Sequence, residues 1–134
     1  PEYTIPFVQV LSMAGLLVFT IVNINTSGFW ALGLGLLSNF MVIVLNGGWM
    51  PIQPKTLKKM VPTQPIEFWE VGSRLGLTKD RILLPEDTVL VYLSDIFTMP
   101  NWIPYKVAFS IGDILISIGV VTLLWSLSQK RKEF

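Results

Sequence analysis

Three long apolar runs constrain this chain more than any other feature of its sequence. They cover residues 5–22, 29–45 and 107–127, and together they contain a single ionisable side chain, Asp113. A transmembrane helix needs about 20 mostly apolar residues, whereas the helices of a small soluble domain must present a polar face to water. The whole chain is 51% hydrophobic and 14% charged. We therefore predict an all-α integral membrane protein with three transmembrane helices.

The composition also excludes several classes of function. The chain has no cysteine and no histidine, which removes thiolate chemistry, zinc–thiolate sites, the usual haem ligand and the usual general base. Its formal net charge of +1 gives no reason to expect nucleic-acid binding. We expect no cofactor, no metal site and no enzyme; a carboxylate pair of Asp95 and Asp113 is the remaining catalytic alternative.

Residues 46–106 separate the second run from the third and differ from both in composition. They are rich in proline, in aromatic residues and in charges of both signs. We predict a cap on the membrane surface that contains short interfacial helices, at 54–60, 66–75 and 86–97. The last of these is strongly apolar but, at about 12 residues, too short to cross a bilayer. A plain water-exposed connector is the alternative.

Basic residues beyond the third run set the expected orientation. Three of them lie in the tail 128–134, which places this tail in the cytoplasm and the loop 46–106 outside. Lysines of the loop argue the other way, but long loops translocate largely regardless of their charge. We treat residues 1–134 as a single membrane domain. Because the chain begins with Pro1 rather than Met, we expect it to be the C-terminal part of a longer chain.

Polar side chains inside the runs are the candidate functional residues. Counted from the predicted ends, Gln9, Asn39 and Asp113 lie at similar depth, about 6–9 Å below the outer surface, and Ser110 shares a helix face with Asp113. A carboxylate in hydrocarbon is costly and the runs offer no cation, so we predict a hydrogen bond from Asn39 or Gln9 to Asp113. This network either locks helices together or forms an ion, proton or substrate site.

Small residues recur on the second and third runs, where they let helix backbones approach closely. They are Ala31, Gly35, Ala108, Gly112 and Gly119. We predict that they pack helices together, within this chain or against a partner.

Acidic side chains of the loop have two interpretations. They could bind a hard cation, or they could cap helices. Asp87 precedes an apolar stretch and suits a helix N-cap.

Four motifs in combination resemble a family of bacterial membrane proteins of unknown function. They are Leu37-Ser38-Asn39-Phe40 with Asn46-Gly47-Gly48-Trp49-Met50-Pro51, then Asp87-Thr88, Leu93-Ser94-Asp95-Ile96 and Ser110-Ile111-Gly112-Asp113. Trp49 and Ser94 stand where the family pattern has Arg and Gly. Members look like five-span proteins of the bacterial plasma membrane, and this chain is similar to their last three spans. The resemblance implies no activity, substrate or cofactor.

These observations lead to two functional expectations. The first is a non-catalytic accessory subunit that packs against partner transmembrane helices in a larger complex, with the lipid bilayer and other subunits as its partners. The alternative is a small transporter or ligand-binding membrane protein with a polar site near Asn39 and Asp113.

Overall fold

Two long apolar helices dominate the fold. In the computed structural model, which describes residues 2–132, they are α1 (Thr4–Val22) and α4 (Ile111–Lys132). Between them lie the apolar helix α2 (Phe29–Leu45) and the short helix α3 (Pro54–Met60). Both α1 and α4 have the length and hydropathy needed to cross a membrane, and α2 is apolar but shorter, at 17 residues. The first two predicted runs are therefore helices over nearly the predicted residues.

The helices pack around α2. It contacts α4 along much of its length and contacts α1 on another side. Helix α1 is lightly covered, because Pro6 and Thr20 are its only buried residues. Its two ends touch α2 and the cap: the Phe19 and Phe29 rings meet edge to face at 5.7 Å, and Gly48 lies against Pro6. Most of the apolar surface of α1 thus faces outwards.

The cap contains strands as well as helical turns, so the prediction of an all-α protein is wrong in this segment. Strand β1 (Met50–Ile52) pairs in parallel with β2 (Asp80–Ile82). Strand β3 (Phe97–Thr98) pairs antiparallel with β4 (Ala108–Phe109). A cluster of buried apolar side chains fills the cap; its members are Ile52, Leu57 and Ile82, with Met60, Trp69, Leu75 and Ala108 packed against them.

Two of the three predicted cap helices do not form. The helix at 54–60 is present as α3, but 66–75 contains a single 3₁₀ turn, Ile66–Phe68. Segment 86–97 has two 3₁₀ turns rather than an interfacial helix, with Leu90 in the left-handed conformation between them (φ 55°). Its end pairs with β1 and β4 instead, since Asp95 bridges Ile52. Tertiary strand pairing has overridden local apolar character here.

The third run also begins later than predicted. Its sequence predicts a helix over 107–127, whereas α4 starts at Ile111 and continues to Lys132. The residues before it form β4, which brings Phe109 onto Phe97 with ring centroids 5.8 Å apart. This shift of four residues changes the environment of every polar side chain near the start of α4.

Candidate functional site

A capping box begins α4. The backbone N–H of Ser110 donates to Oδ2 of Asp113 at 2.8 Å, and the backbone N–H of Asp113 donates to Oγ of Ser110 at 3.2 Å. Ser at the N-cap with an acid three residues later satisfies two otherwise unpaired helix donors, and the acid also suits the positive end of the helix dipole. Asp113 therefore lies in the first turn of α4, and not six residues into a helix that begins at residue 107.

Asn39 of α2 joins this capping box. Its Nδ2 donates to Oδ1 of Asp113 at 2.9 Å. The sequence predicts this bond as one of two alternatives, the other being a bond from Gln9. Ser110 Oγ lies 2.8 Å from Asn39 Oδ1 and 2.9 Å from Asp113 Oδ2, so its single hydrogen serves one of them at a time. Ser110 is fully buried and Asn39 is 6% exposed. The group ties α2 to α4 through donors and acceptors that are already matched.

Gln9 stands apart from this group. Among the described residues it makes no hydrogen bond to Asn39, Ser110 or Asp113; it lines a groove beside α2. The structure thus brings together three of the four residues of the predicted polar network.

Glycines hold α2 and α4 in close contact directly below this group. A Cβ on Gly35 would lie 2.5 Å from the carbonyl oxygen of Gly112, and one on Gly119 would lie 2.6 Å from the backbone nitrogen of Leu32. Ala31 is also buried. The small residues of the two helices therefore pack within this chain. Ala108 is an exception, because it lies in β4 and contacts the apolar cluster of the cap.

The loop motif at the end of α2 attaches the cap to this helix. Asn46 Nδ2 donates to the carbonyl oxygens of Val42 (2.7 Å) and Val89 (2.9 Å), and Asn46 Oδ1 accepts the N–H of Val89 (3.0 Å). Gly47 and Gly48 follow with φ of 72° and 87°, a conformation that glycine adopts at little cost. Asn46 is therefore a clamp on the segment that carries Leu90.

Asp87 does not act as the predicted N-cap. It is the last residue of the 3₁₀ turn Pro85–Asp87, it is exposed, and no α-helix follows it within the cap as described by the structure.

Asp95 is a buried carboxylate beside a lysine. It is 2% exposed, and its Oδ2 lies 3.1 Å from Nζ of Lys79, which is also 2.9 Å from Oδ1 of Asp80. Oδ1 of Asp95 has no hydrogen-bond partner among the described residues. Desolvation raises the pKa of Asp95 to about 7 against the lowering effect of Lys79, and the nearby charges of Asp80 and Asp113 also raise it.

The pKa of Lys79 is also raised, but for a different reason. Burial lowers its pKa, but the adjacent carboxylates of Asp95 and Asp80 outweigh this effect and raise the pKa above the usual 10.5. Its side chain is 47% exposed, so Lys79 stays charged and connects the buried acid to the surface.

An open groove of about 590 Å³ lies between α1, α2 and the cap, and Lys79 lies on its wall. The walls are mainly apolar, with a few polar side chains among them. The lining residues are Thr4, Ile5, Val8, Gln9, Ser12 and Met13 of α1, Asn39 and Ile43 of α2, and Met50 and Lys79 of the cap. Apolar pockets of this size with a few convergent polar groups are typical of small-molecule sites.

Trp49 is buried in the cap beside two arginines. It is 3% exposed and contacts two guanidinium groups, with its ring centroid 5.1 Å from Arg81 Cζ and 5.6 Å from Arg74 Cζ. At these distances the indole ring attracts both guanidinium groups through cation–π interactions, which stabilise the packing of the two arginines against Trp49. Arg81 Nη2 also lies 3.6 Å from Oε1 of Glu2, which links the cap to the residues before α1.

Comparison with known proteins assigns this chain to a family. The model of a family of unknown function, DUF5317, matches residues 1–125. The chain belongs to the DUF5317 family. An uncharacterized protein of Thermotoga maritima is 31% identical over 112 residues, which make up 82% of this chain and 58% of the relative. The chain thus spans 58% of the length of that relative. No solved structure matches this chain.

Sequence reasoning missed Lys79 in this DUF5317 protein. Lysines at several other positions of the loop look equivalent in sequence, and the pairing of β1 with β2 is what brings Lys79 beside Asp95. Within residues 2–132, no group of three or more His, Cys, Asp or Glu side chains has the geometry to hold a metal ion.

Proposed function

We propose that this protein is a membrane-embedded binding protein for a small amphiphilic molecule, held in the groove between α1, α2 and the cap. The observation that carries the proposal is the composition of this groove. Its walls are apolar, and the ammonium group of Lys79 lies on the cap side, in contact with the buried Asp95 carboxylate. A pocket that combines apolar walls with a few polar groups and a perturbed titratable residue is a typical ligand site.

In this proposal the polar group at Asn39, Ser110 and Asp113 is a structural lock and not a transport relay. Its acceptors already receive hydrogen bonds from the helix start and from Asn39, as a structural lock requires. We place the ligand site in the adjacent groove, which Asn39 also lines, and we propose no catalytic role.

We propose the following topology for the chain. Helices α1, α2 and α4 are three spans of a bacterial plasma membrane protein, the last three of five in the complete family member. The cap lies outside the cytoplasm and the basic end of α4 lies inside, in accord with the positive-inside rule. The length and hydropathy of α1 and α4 support this arrangement.

Cysteine labelling on intact cells tests the topology. Because the chain has no native cysteine, Lys55→Cys and Ser128→Cys can be introduced singly, and both positions are exposed. We expect an impermeant thiol reagent to label the first without permeabilisation and the second only after it. The reverse pattern would overturn the orientation.

Photocrosslinking tests the proposed function. A diazirine derivative of hexadecanol is added to the protein in lipid nanodiscs, and adducts are mapped by peptide mass spectrometry. We expect adducts on the groove side of α1. Val8→Trp fills the groove and should abolish them, whereas Leu11→Trp, on a part of α1 outside the groove, should not. Adducts spread over all outward residues of α1 and unaffected by Val8→Trp would contradict the proposal.

A second candidate, an accessory subunit in a larger complex, is favoured by the exposure of α1. Only two of the 19 residues of this helix are buried, which leaves a long apolar face for partner helices. The small-residue packing of α2 and α4 is satisfied within the chain and supports neither candidate. Purification in mild detergent distinguishes them: co-purification of a stoichiometric membrane protein, lost in Leu11→Trp and kept in Val8→Trp, favours the subunit.

A further inference from the structure

The groove differs from a general lipid-facing surface in the charge that it presents. Among the described residues that line it, Lys79 is the one ionisable side chain, and no carboxylate shares the wall. The acids that neutralise Lys79 lie behind it: the Asp95 side chain is 2% exposed and that of Asp80 is 13% exposed, against 47% for Lys79. An occupant of the groove therefore meets the ammonium group and not its counter-ions.

Each polar side chain that lines the groove can donate a hydrogen bond, and Lys79 can only donate. An ammonium has three N–H groups, and Lys79 uses two of them, toward Asp80 and Asp95. The third has no partner among residues 2–132 and can bind a ligand. The hydroxyl groups of Thr4 and Ser12 and the amide of Gln9 add donors on the α1 wall of the groove. A headgroup that offers acceptors and a negative charge matches this set.

The volume of the groove matches the apolar part of a single-chain occupant. At about 30 Å³ for each water-sized group, a volume of about 590 Å³ holds roughly 20 heavy atoms. This is the size of one long-chain fatty acid and less than half of a diacyl phospholipid.

We propose that the groove selects a single-chain amphiphile with an anionic headgroup, a long-chain carboxylate, whose oxygens bind Lys79 while its chain lies between α1 and α2. This proposal rests on the proposed function, since it assigns the headgroup class of the same site. The buried Asp95 holds Lys79 at the cap end of the groove, and Lys79 acts as the residue that determines specificity.

Competition by two ligands of equal chain length tests the assignment. Palmitate and hexadecanol are each titrated against the crosslinking of the diazirine hexadecanol, at about pH 8.5, where carboxyl groups are ionised. We expect palmitate to compete at a concentration about tenfold lower than hexadecanol, as one charge-assisted hydrogen bond predicts. Lys79→Gln should reduce this ratio to about one, while Lys79→Arg should retain most of the preference for palmitate.

Two controls keep the result interpretable. Lys59→Gln removes an exposed cap lysine outside the groove and should leave the ratio unchanged. If Lys79→Gln fails to fold because Asp95 is left unpaired, the double variant with Asp95→Asn removes that charge and should show the same loss of preference.

The possible outcomes separate the two proposals. Groove-dependent binding of both ligands with equal affinity overturns the anionic assignment and leaves the proposed function standing. Absence of groove-dependent crosslinking overturns the proposed function itself. Stronger competition by phosphatidylglycerol than by palmitate overturns the single-chain assignment, because the occupant would then be a bilayer lipid.

Discussion

Asn39 Nδ2 donates to Asp113 Oδ1 at 2.9 Å and so joins α2 to the first turn of α4. The same carboxylate accepts the N–H of Ser110 through its other oxygen. One side chain thus caps a helix and fixes that helix against its neighbour. These hydrogen bonds explain why the acid tolerates a site where the described part of the chain provides no adjacent cation.

Replacing Asp113 should destabilise the protein, and the cost should grow with the number of hydrogen-bond donors that lose their acceptor. Asp113→Asn keeps one acceptor but turns an NH₂ group toward a donor, which we expect to cost about 1–2 kcal/mol. Asp113→Leu leaves both the Asn39 amide and the Ser110 N–H unpaired and should cost about 2–4 kcal/mol. Thermal unfolding in detergent measures both. Ser117→Ala, which removes only an exposed bond to the Asp113 carbonyl, is the matched control. A leucine variant as stable as the wild type would contradict the lock.

Gly112→Ala should separate α2 from α4. The added Cβ would lie 2.8 Å from the carbonyl oxygen of Gly35 and would also meet the Asn39 side chain, so we expect a cost of about 1–3 kcal/mol from overpacking. Gly15→Ala on α1 is the control, since nothing lies within 4 Å of its Cβ. It should instead be neutral or stabilising by about 0.5–1 kcal/mol. The same sign of effect for both variants would argue against close packing at Gly112.

Asn46→Ala should release the cap segment near Val89. The change removes both the acceptor for the Val89 N–H and the donor to its carbonyl, and Leu90 can then leave its left-handed conformation. Hydrogen exchange should show loss of protection at the Val89 amide, with the free energy of unfolding lower by about 1–2 kcal/mol. Asn101→Ala, at an exposed cap asparagine, should leave this amide unchanged. Retained protection in Asn46→Ala would show that packing alone holds the segment.

Stability should depend on pH through Asp95. Its pKa is about 7 in the folded protein and 3.8 in an unfolded chain, so the folded state binds more protons between these values. Stability therefore falls as pH rises through this window, by on the order of 2 kcal/mol between about pH 5 and 8. Asp95→Asn should flatten the profile of unfolding temperature against pH. Asp87→Asn, an exposed acid in the same cap, should leave the slope as in the wild type, and an unchanged slope in Asp95→Asn would remove Asp95 as its source.

Local sequence was sufficient to predict those elements whose structure depends mainly on residues close together along the chain. The apolar runs at 5–22 and 29–45 predict α1 and α2 because helix formation in an apolar segment satisfies all its own backbone groups. Ser110 and Asp113 carry the spacing of a capping box, a signal that marks the start of α4. The same spacing also fits one face of a longer helix, so it does not by itself locate the helix start. The sequence also narrowed the partner of Asp113 to two residues, because Asn39 and Gln9 are the side-chain amides within the three runs.

Tertiary structure decided the cap and the groove. In the cap, backbone pairing joins residues far apart in sequence, Met50 with Asp80 and Ile52 with Asp95. The apolar sequence of segment 86–97 does not indicate which pairing the segment will make. The choice between Asn39 and Gln9 followed from the packing of α2 on α4. The contact of Lys79 with Asp95 exists only once β1 and β2 lie side by side, because a short strand gains its hydrogen bonds from a distant segment and not from its own sequence.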